Sequence, residues 1–303
     1  MRIVYFIILF TFVLNYAKNQ GLTNSLDNLS HENLLDNPWF TVNQRRQSNY
    51  GANTFSLDRW KSGNNNQVAI SGNVVTLSPV NTSQSCVFYQ VFEDEADGLN
   101  GKTVTLSLLD GSGNLYTVSH VVEHKTTWTQ LFWKGFNDSF SIGLTAQPLT
   151  DGKYRYSFDI TTYATKTLTI KAVKLELGSV STLAQDTAPN YATELLKCQR
   201  YFISFNPLFS DLGNGGAVGV KFDNIGAIAF TVPIPLAMRA KPGLSVTNYG
   251  FIVYEDGTTF IPSSIEIDDV FNNALRIYVP IAQTAGNKMA VWQDYKFTAS
   301  AEL

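Results

Sequence analysis

The sequence predicts an all-β protein, and three observations predict it. Phe and Tyr are abundant, at 20 and 14 residues in a chain of 303, and Val, Ile and Thr recur in short runs. Gly and Asn punctuate those runs, as tight turns between strands require. Strict alternation shows in Tyr154, Tyr156, Phe158 and Ile160, which places four large side chains on one face of a strand. The length is comfortable for two β domains of ordinary size.

The first segment, residues 1–20, is apolar. Met1-Arg2 precedes the nearly unbroken run Ile3 to Leu14, followed by Tyr16-Ala17, and two readings stand. One is a secretory leader, residues 1–17, removed on export. The other is an apolar arm that docks into another protein or into a second copy of the chain. A run of about a dozen residues is too short to cross a hydrocarbon core, which takes about 20. Residues 21–36 follow, with Leu22, Leu26, Leu29 and Leu34 spaced as on a short amphipathic helix, read as a connector in preference to a trimerisation stalk.

Residues 37–178 read as a jelly-roll-like β-sandwich. Its strand-like runs are Val68–Ile70, Asn73–Leu77, Cys86–Phe92, Thr103–Leu109, Leu115–Glu123, Thr126–Trp133, Ser139–Leu144, Tyr154–Ile160 and Leu168–Leu177, regularly spaced as in a sandwich. Asp110-Gly111-Ser112-Gly113-Asn114 supplies the positive-φ residues of a hairpin turn. Lys174-Leu175-Glu176-Leu177-Gly178 reads as a last strand with alternating charged and apolar faces, stopped by glycine. Residues 179–200 read as a linker and short helix: Ser179 to Pro189 is rich in Ser, Thr, Ala and Asp, and Leu195, Leu196 and Gln199 are helically spaced. Residues 201–303 read as a second β-sandwich, with strands at 227–234, 243–246, 250–254, 264–267, 274–279 and 295–299.

Charge and composition exclude several functions. A net charge of −3 without a basic patch gives no reason to expect nucleic acid. Gln44-Arg45-Arg46 is the densest basic spot and reads as a solvated surface or a carboxylate partner. Cys86 and Cys198 are the only cysteines, too few for a disulfide framework and without neighbours at zinc-ligand spacing. His120 and His124, four apart, would share one strand face, but two ligands do not make a metal site. The acids Glu93-Asp94-Glu95 and Asp97 are the one cluster imaginable for glycoside hydrolysis, and adjacent acids on a turn read better as solvated surface. Gly213-Asn214-Gly215-Gly216-Ala217-Val218-Gly219 lacks the Lys-Ser/Thr of a phosphate loop and reads as flexible. No hydrolase serine elbow occurs, and no internal repeat of a β-helix. No catalytic residue, metal or cofactor is expected, and no ligand-binding residue can be named.

Several phrases, in order, carry a resemblance. Asn37-Pro38-Trp39-Phe40-Thr41-Val42-Asn43-Gln44-Arg45, then Leu57-Asp58-Arg59-Trp60, Gly101-Lys102-Thr103-Val104-Thr105-Leu106-Ser107 and Val173-Lys174-Leu175-Glu176-Leu177-Gly178-Ser179 together resemble the sandwich module of bacteriophage tail-fibre and head-fibre proteins. The likeness runs on through Asp186-Thr187-Ala188-Pro189, Cys198 to Phe202, Pro235 to Pro242 and Phe297 to Leu303. It implies a carbohydrate-binding-module-like jelly roll in a homotrimeric fibre, located in the virion, with other virion proteins and a host-surface glycan as partners. Asp58-Arg59 reads as a local ion pair or turn constraint, and Trp60 as core in preference to a sugar platform. The expected function is a non-enzymatic virion fibre protein that recognises a host receptor. The alternatives are a purely structural decoration or collar protein, and a secreted or cell-surface sugar-binding protein if residues 1–17 are an export signal.

Overall fold

A computed structural model describes residues 32–94, 98–205, 217–222, 226–271, 274–281, 289–293 and 295–302. The apolar run 3–14, most of the leucine-spaced connector, Glu95, Asp97 and Gly213 to Gly216 lie outside the described residues. Among the described residues no helix is long and apolar enough to cross a membrane.

The described chain is all β apart from one short helix and one 3-10 turn. Its strands are β1 (Asn49–Tyr50), β2 (Lys61–Ser62), β3 (Asn66–Ser71), β4 (Val74–Pro79), β5 (Cys86–Asp94), β6 (Thr103–Asp110), β7 (Leu115–Val121), β8 (Thr129–Phe136), β9 (Phe140–Pro148), β10 (Tyr154–Thr162) and β11 (Leu168–Leu177). After helix α1 (Tyr191–Gln199) come β12 (Phe202–Phe205), β13 (Ala217–Phe222), β14 (Ala227–Pro233), β15 (Gly243–Asn248), β16 (Phe251–Tyr254), β17 (Thr259–Phe260), β18 (Glu266–Phe271), β19 (Ala274–Pro280), β20 (Met289–Gln293) and β21 (Lys296–Ser300). The chain divides into two compact units. Among the described residues, one comprises residues 63–188 with residues 32–39, the other residues 40–62 with those from 189 onward. Residues 40–62, expected in the first sandwich, therefore belong to the second unit.

In the first unit, antiparallel strands in the order β3-β4-β11-β6-β7 and β5-β10-β9-β8 form two sheets. The chain changes sheet from β4 to β5, from β5 to β6, from β7 to β8 and from β10 to β11, while β6–β7 is a hairpin and β8–β9–β10 a meander within one sheet. Alternation decides what is inside: Tyr156, Phe158 and Ile160 of β10 and Ile142 and Leu144 of β9 are buried, opposite Val104, Leu106, Leu108, Val173 and Leu175 of the other sheet. The expected Asp110–Asn114 turn is present, with Gly113 at φ 88° and the Asp110 carboxylate accepting the amides of Ser112 and Asn114 at 2.9 and 2.8 Å.

Two segments read as a helical connector and a linker are part of this unit. Residues 33–38 form no helix and run beside β11: the Leu34 amide bonds the Leu175 carbonyl at 2.8 Å, and the Asn33 side chain bonds both the Val173 carbonyl and the Leu175 amide. Residues 178–186, read as a linker, instead strap the outer face of β6 and β11. There Lys174 and Glu176 are buried, and they hold the strap. Lys174 Nζ lies 2.6 Å from Asp186 Oδ2, 2.7 Å from Thr182 Oγ1 and 3.4 Å from Glu176 Oε2, while Glu176 accepts from the Thr182 amide and hydroxyl. Thr105 Oγ1 donates to the Gly178 carbonyl at 2.7 Å, and Ser107 bonds Ser181 at 2.7 Å.

In the second unit, β12-β21-β15 and β17-β16-β20-β13-β14-β19-β18 form a three-stranded and a seven-stranded sheet that share one core. Phe230, Trp292, Tyr295 and Phe297 are the aromatic centre of that core; the rings of Trp292 and Tyr295 stack at 4.2 Å, and Trp292 Nε1 donates to the Tyr249 carbonyl at 2.7 Å. Helix α1 begins at a cap: Asn190 accepts from the amides of Ala192 and Thr193. The glycine-rich phrase ending at Gly219 was expected to be a loop, yet its last three residues open β13, an interior strand of the seven-stranded sheet.

Candidate functional site

The outward face of the β5-β10-β9-β8 sheet gathers the groups that a ligand would meet. Because β10 buries Tyr156, Phe158 and Ile160, it must present Arg155, Ser157 and Asp159 on the opposite face. The registers extend those positions into rows. Tyr89 pairs with Asp159, Asp159 with Gly143, and Gly143 with Trp133; Val91 pairs with Ser157, and Ser157 with Thr145. Three strand spacings separate Tyr89 from Trp133, about 14 Å of backbone.

Trp133 is 57% exposed, and Trp128, just before β8, is 64% exposed, which is unusual for the residue type richest in apolar surface. Two glycines make room beside the Trp133 indole. A Cβ on Gly143 would meet Trp133 Cβ at 3.0 Å, and one on Gly135 would lie 3.6 Å from Trp133 Cζ3 and 2.7 Å from the Tyr163 hydroxyl.

Between Tyr89 and Trp128 lies a shallow depression of about 290 Å³, lined also by Thr145, Arg155 and Asp159 among others. Its polar groups are fixed by one another. Ser157 Oγ donates to Asp159 Oδ1 at 2.5 Å, and burial pushes the Asp159 carboxyl up to about 6, against the hydrogen bonds from Ser157 and Thr145. Arg155 Nη2 bonds Glu93 Oε1 at 3.2 Å, whereas its buried Nε has no partner among the described residues. Flat aromatic faces beside fixed donors and acceptors suit a ring bearing many hydroxyls: apolar C–H faces stack, and hydroxyls take the polar groups.

The residues singled out from the sequence fall elsewhere or take other roles. Glu93 and Asp94 belong to β5, not to a turn, and Glu93 is engaged by Arg155. His120 lies on β7 against Phe132, but His124 lies beyond the end of β7 and stacks on Tyr154 at 3.6 Å, its Nε2 bonded to the Tyr156 hydroxyl. The two imidazoles therefore do not share a strand face, and no cluster of three or more metal-ligating side chains occurs among the described residues. Cys86 and Cys198 are both buried, and neither is in a disulfide.

Trp60 is core, edge-on to Phe40 at 5.5 Å. Asp58 and Arg59 each find a distant partner within the second unit: Arg45 bonds Asp58 at 3.0 Å and Glu302 at 3.1 Å, and Arg59 reaches Glu302 at 3.5 Å. Asp58-Arg59 sits in the turn that the Trp60 amide closes on the Leu57 carbonyl at 3.0 Å, with Arg59 at φ 73°, and both residues also join this longer network. Arg45 has the carboxylate partner that its neighbourhood suggested. No residue of the outward face was named as a ligand from the sequence. The available signal was the polar half of the β10 alternation, Arg155, Ser157 and Asp159. Compared with known proteins, the chain matches no family model, and no curated protein matches it.

Proposed function

We propose that the chain is a non-enzymatic structural protein of a bacteriophage virion, of the tail-fibre or head-fibre kind, whose first sandwich binds a host-surface glycan. Glycan binding is supported by one observation above others: the sheet face on which Tyr89, Asp159, Gly143 and Trp133 are successive register partners, with Trp128 and Trp133 exposed. Exposed indoles beside a fixed carboxylate and hydroxyls are what a pyranose ring requires. The virion assignment rests on the ordered phrases from Asn37 to Ser179 and beyond, as does the homotrimer.

Binding without cleavage fits the carboxylates of this face. Glu93 and Asp159 are one strand apart and four residues out of register, which places their backbones about 14 Å from each other. Glycoside hydrolysis needs two carboxyl groups about 5–10 Å apart around one bond. Glu93 is also held by Arg155.

The test is competition for adsorption. Host cells incubated with the recombinant chain should adsorb fewer phage particles, and Trp133→Ala or Trp128→Ala should compete about threefold to tenfold less well, the range that loss of one stacking ring gives. Undiminished adsorption would favour the structural decoration or collar protein and remove the receptor-binding part.

A further inference from the structure

We propose that the second unit carries a separate site for an acidic sugar, a ring bearing a carboxylate, on the outer face of its three-stranded sheet. The site extends the glycan-binding reading to a different unit, but it rests on its own geometry. On β12 and β21 the registers put Ile203, Phe297 and Ala299 into the core, so Ser204, Thr298 and Lys296 project from the opposite face. The segment before β1 closes one side of that face, since Gln44 Nε2 donates to the Phe202 carbonyl at 2.8 Å and the Arg45 guanidinium lies 3.8 Å over the Phe202 ring. Between them is a cavity of about 350 Å³, lined by Gln44, Gln47, Ser204, Thr247, Lys296 and Thr298 among others.

The charge balance of the pocket favours an anion. Arg45 and Arg59 are matched by Asp58 and Glu302, at 3.0 to 3.5 Å. Lys296, exposed and lining the cavity, makes no ion pair among the described residues, which leaves its charge for a bound anion. Burial also pushes the Asp58 carboxyl up to about 7 against the Gln44 amide and Arg45, so near neutrality its negative charge is only partly present.

The rest of the lining favours a sugar over a bare ion. The volume exceeds what a simple anion fills, and the hydroxyls of Ser204, Thr247 and Thr298 with the amide of Gln47 supply both donors and acceptors. Lys296 Nζ would take the carboxylate, and these groups the ring hydroxyls.

Calorimetric titration of the full chain tests the site, with a galacturonate trisaccharide as probe and the neutral galactose trisaccharide as control. The uronate should bind, the neutral sugar should bind this site more weakly, and Lys296→Met should lower uronate affinity about tenfold, as loss of a charged hydrogen bond does. Thr298→Val should lower it less, with the thermal transition of both variants unchanged. Trp133→Ala and Trp128→Ala should leave uronate binding intact while lowering adsorption competition, so this site and the face of the first unit can fail separately. No uronate binding, or equal affinity in Lys296→Met, overturns the proposal. Preference for a sugar phosphate over the uronate overturns its carboxylate specificity.

Discussion

Trp133 and Gly143 are register partners on β8 and β9, and a Cβ on Gly143 would sit 3.0 Å from both Trp133 Cβ and the Phe132 carbonyl oxygen. The backbone oxygen cannot move without breaking the strand pairing, so an added side chain must displace the tryptophan. Gly143→Val is therefore expected to cost about 1–3 kcal/mol of stability, as overpacking does, and to weaken glycan binding. Trp133→Ala should weaken binding too, yet leave stability within about 0.5 kcal/mol because its ring is mostly exposed. Thermal denaturation beside a binding titration separates the two, and a Gly143→Val protein as stable as the parent would remove the contact from the argument.

Asp159 should make stability fall as pH rises through weak acid. Its carboxyl is raised from an ordinary 3.8 to about 6 by burial, against hydrogen bonds from Ser157 and Thr145. Between those values the native state keeps a proton that the unfolded chain has lost, so this contribution is complete below about pH 4 and gone above about pH 6. Asp159→Asn lacks the dependence, and the variant should gain on the parent across that window. Urea denaturation of both proteins at about pH 4 and about pH 7 reads the difference; a constant gap between them would contradict it.

Local pattern carried much of the first sandwich. Tyr156, Phe158 and Ile160 are buried as their alternation requires, and β11 ends at Leu177 before Gly178, whose φ of 105° only glycine takes easily. What alternation cannot supply is which strands become neighbours. Tyr89, Asp159, Gly143 and Trp133 come from four strands of one sheet, and their row exists only once β10 lies between β5 and β9. The polar segment after Gly178 was read as a linker because composition showed no core, yet those side chains are what a buried Lys174 and Glu176 need. β13 was hidden for a related reason: in an interior strand, Gly219 looks like a loop until the ring that excludes its side chain is known.

That buried network predicts a sharp asymmetry. Lys174→Met leaves Glu176 buried without its cation, and loss of one partner of such a pair costs about 3–5 kcal/mol. The double change Lys174→Met with Glu176→Leu removes both charges and should recover much of the loss. Urea denaturation of the two proteins makes the comparison, and hydrogen exchange at the Thr182 amide, which donates to Glu176 at 2.8 Å, should accelerate in the single variant. Equal stability of the single variant and the parent would mean that the strap is held by its serine and threonine contacts alone.

Gly219 makes the corresponding prediction for the second unit. It pairs with Phe230 across β13 and β14, and a Cβ there would lie 2.5 Å from Phe230 Cδ1 and 2.7 Å from the Ala229 carbonyl oxygen. Phe230 cannot swing away freely, because it is fully buried and packs at 5.3 Å from the equally buried Trp292. Gly219→Ala should therefore destabilise the second unit by about 1–3 kcal/mol and speed hydrogen exchange through β14, while exchange in β10 of the first unit stays as it was. Shortening the obstacle should reverse part of the effect: Phe230→Leu on the Gly219→Ala background should cost less than it does in the parent, a coupling that a double-mutant cycle measures directly. Additive losses would show that the two residues do not compete for the same space.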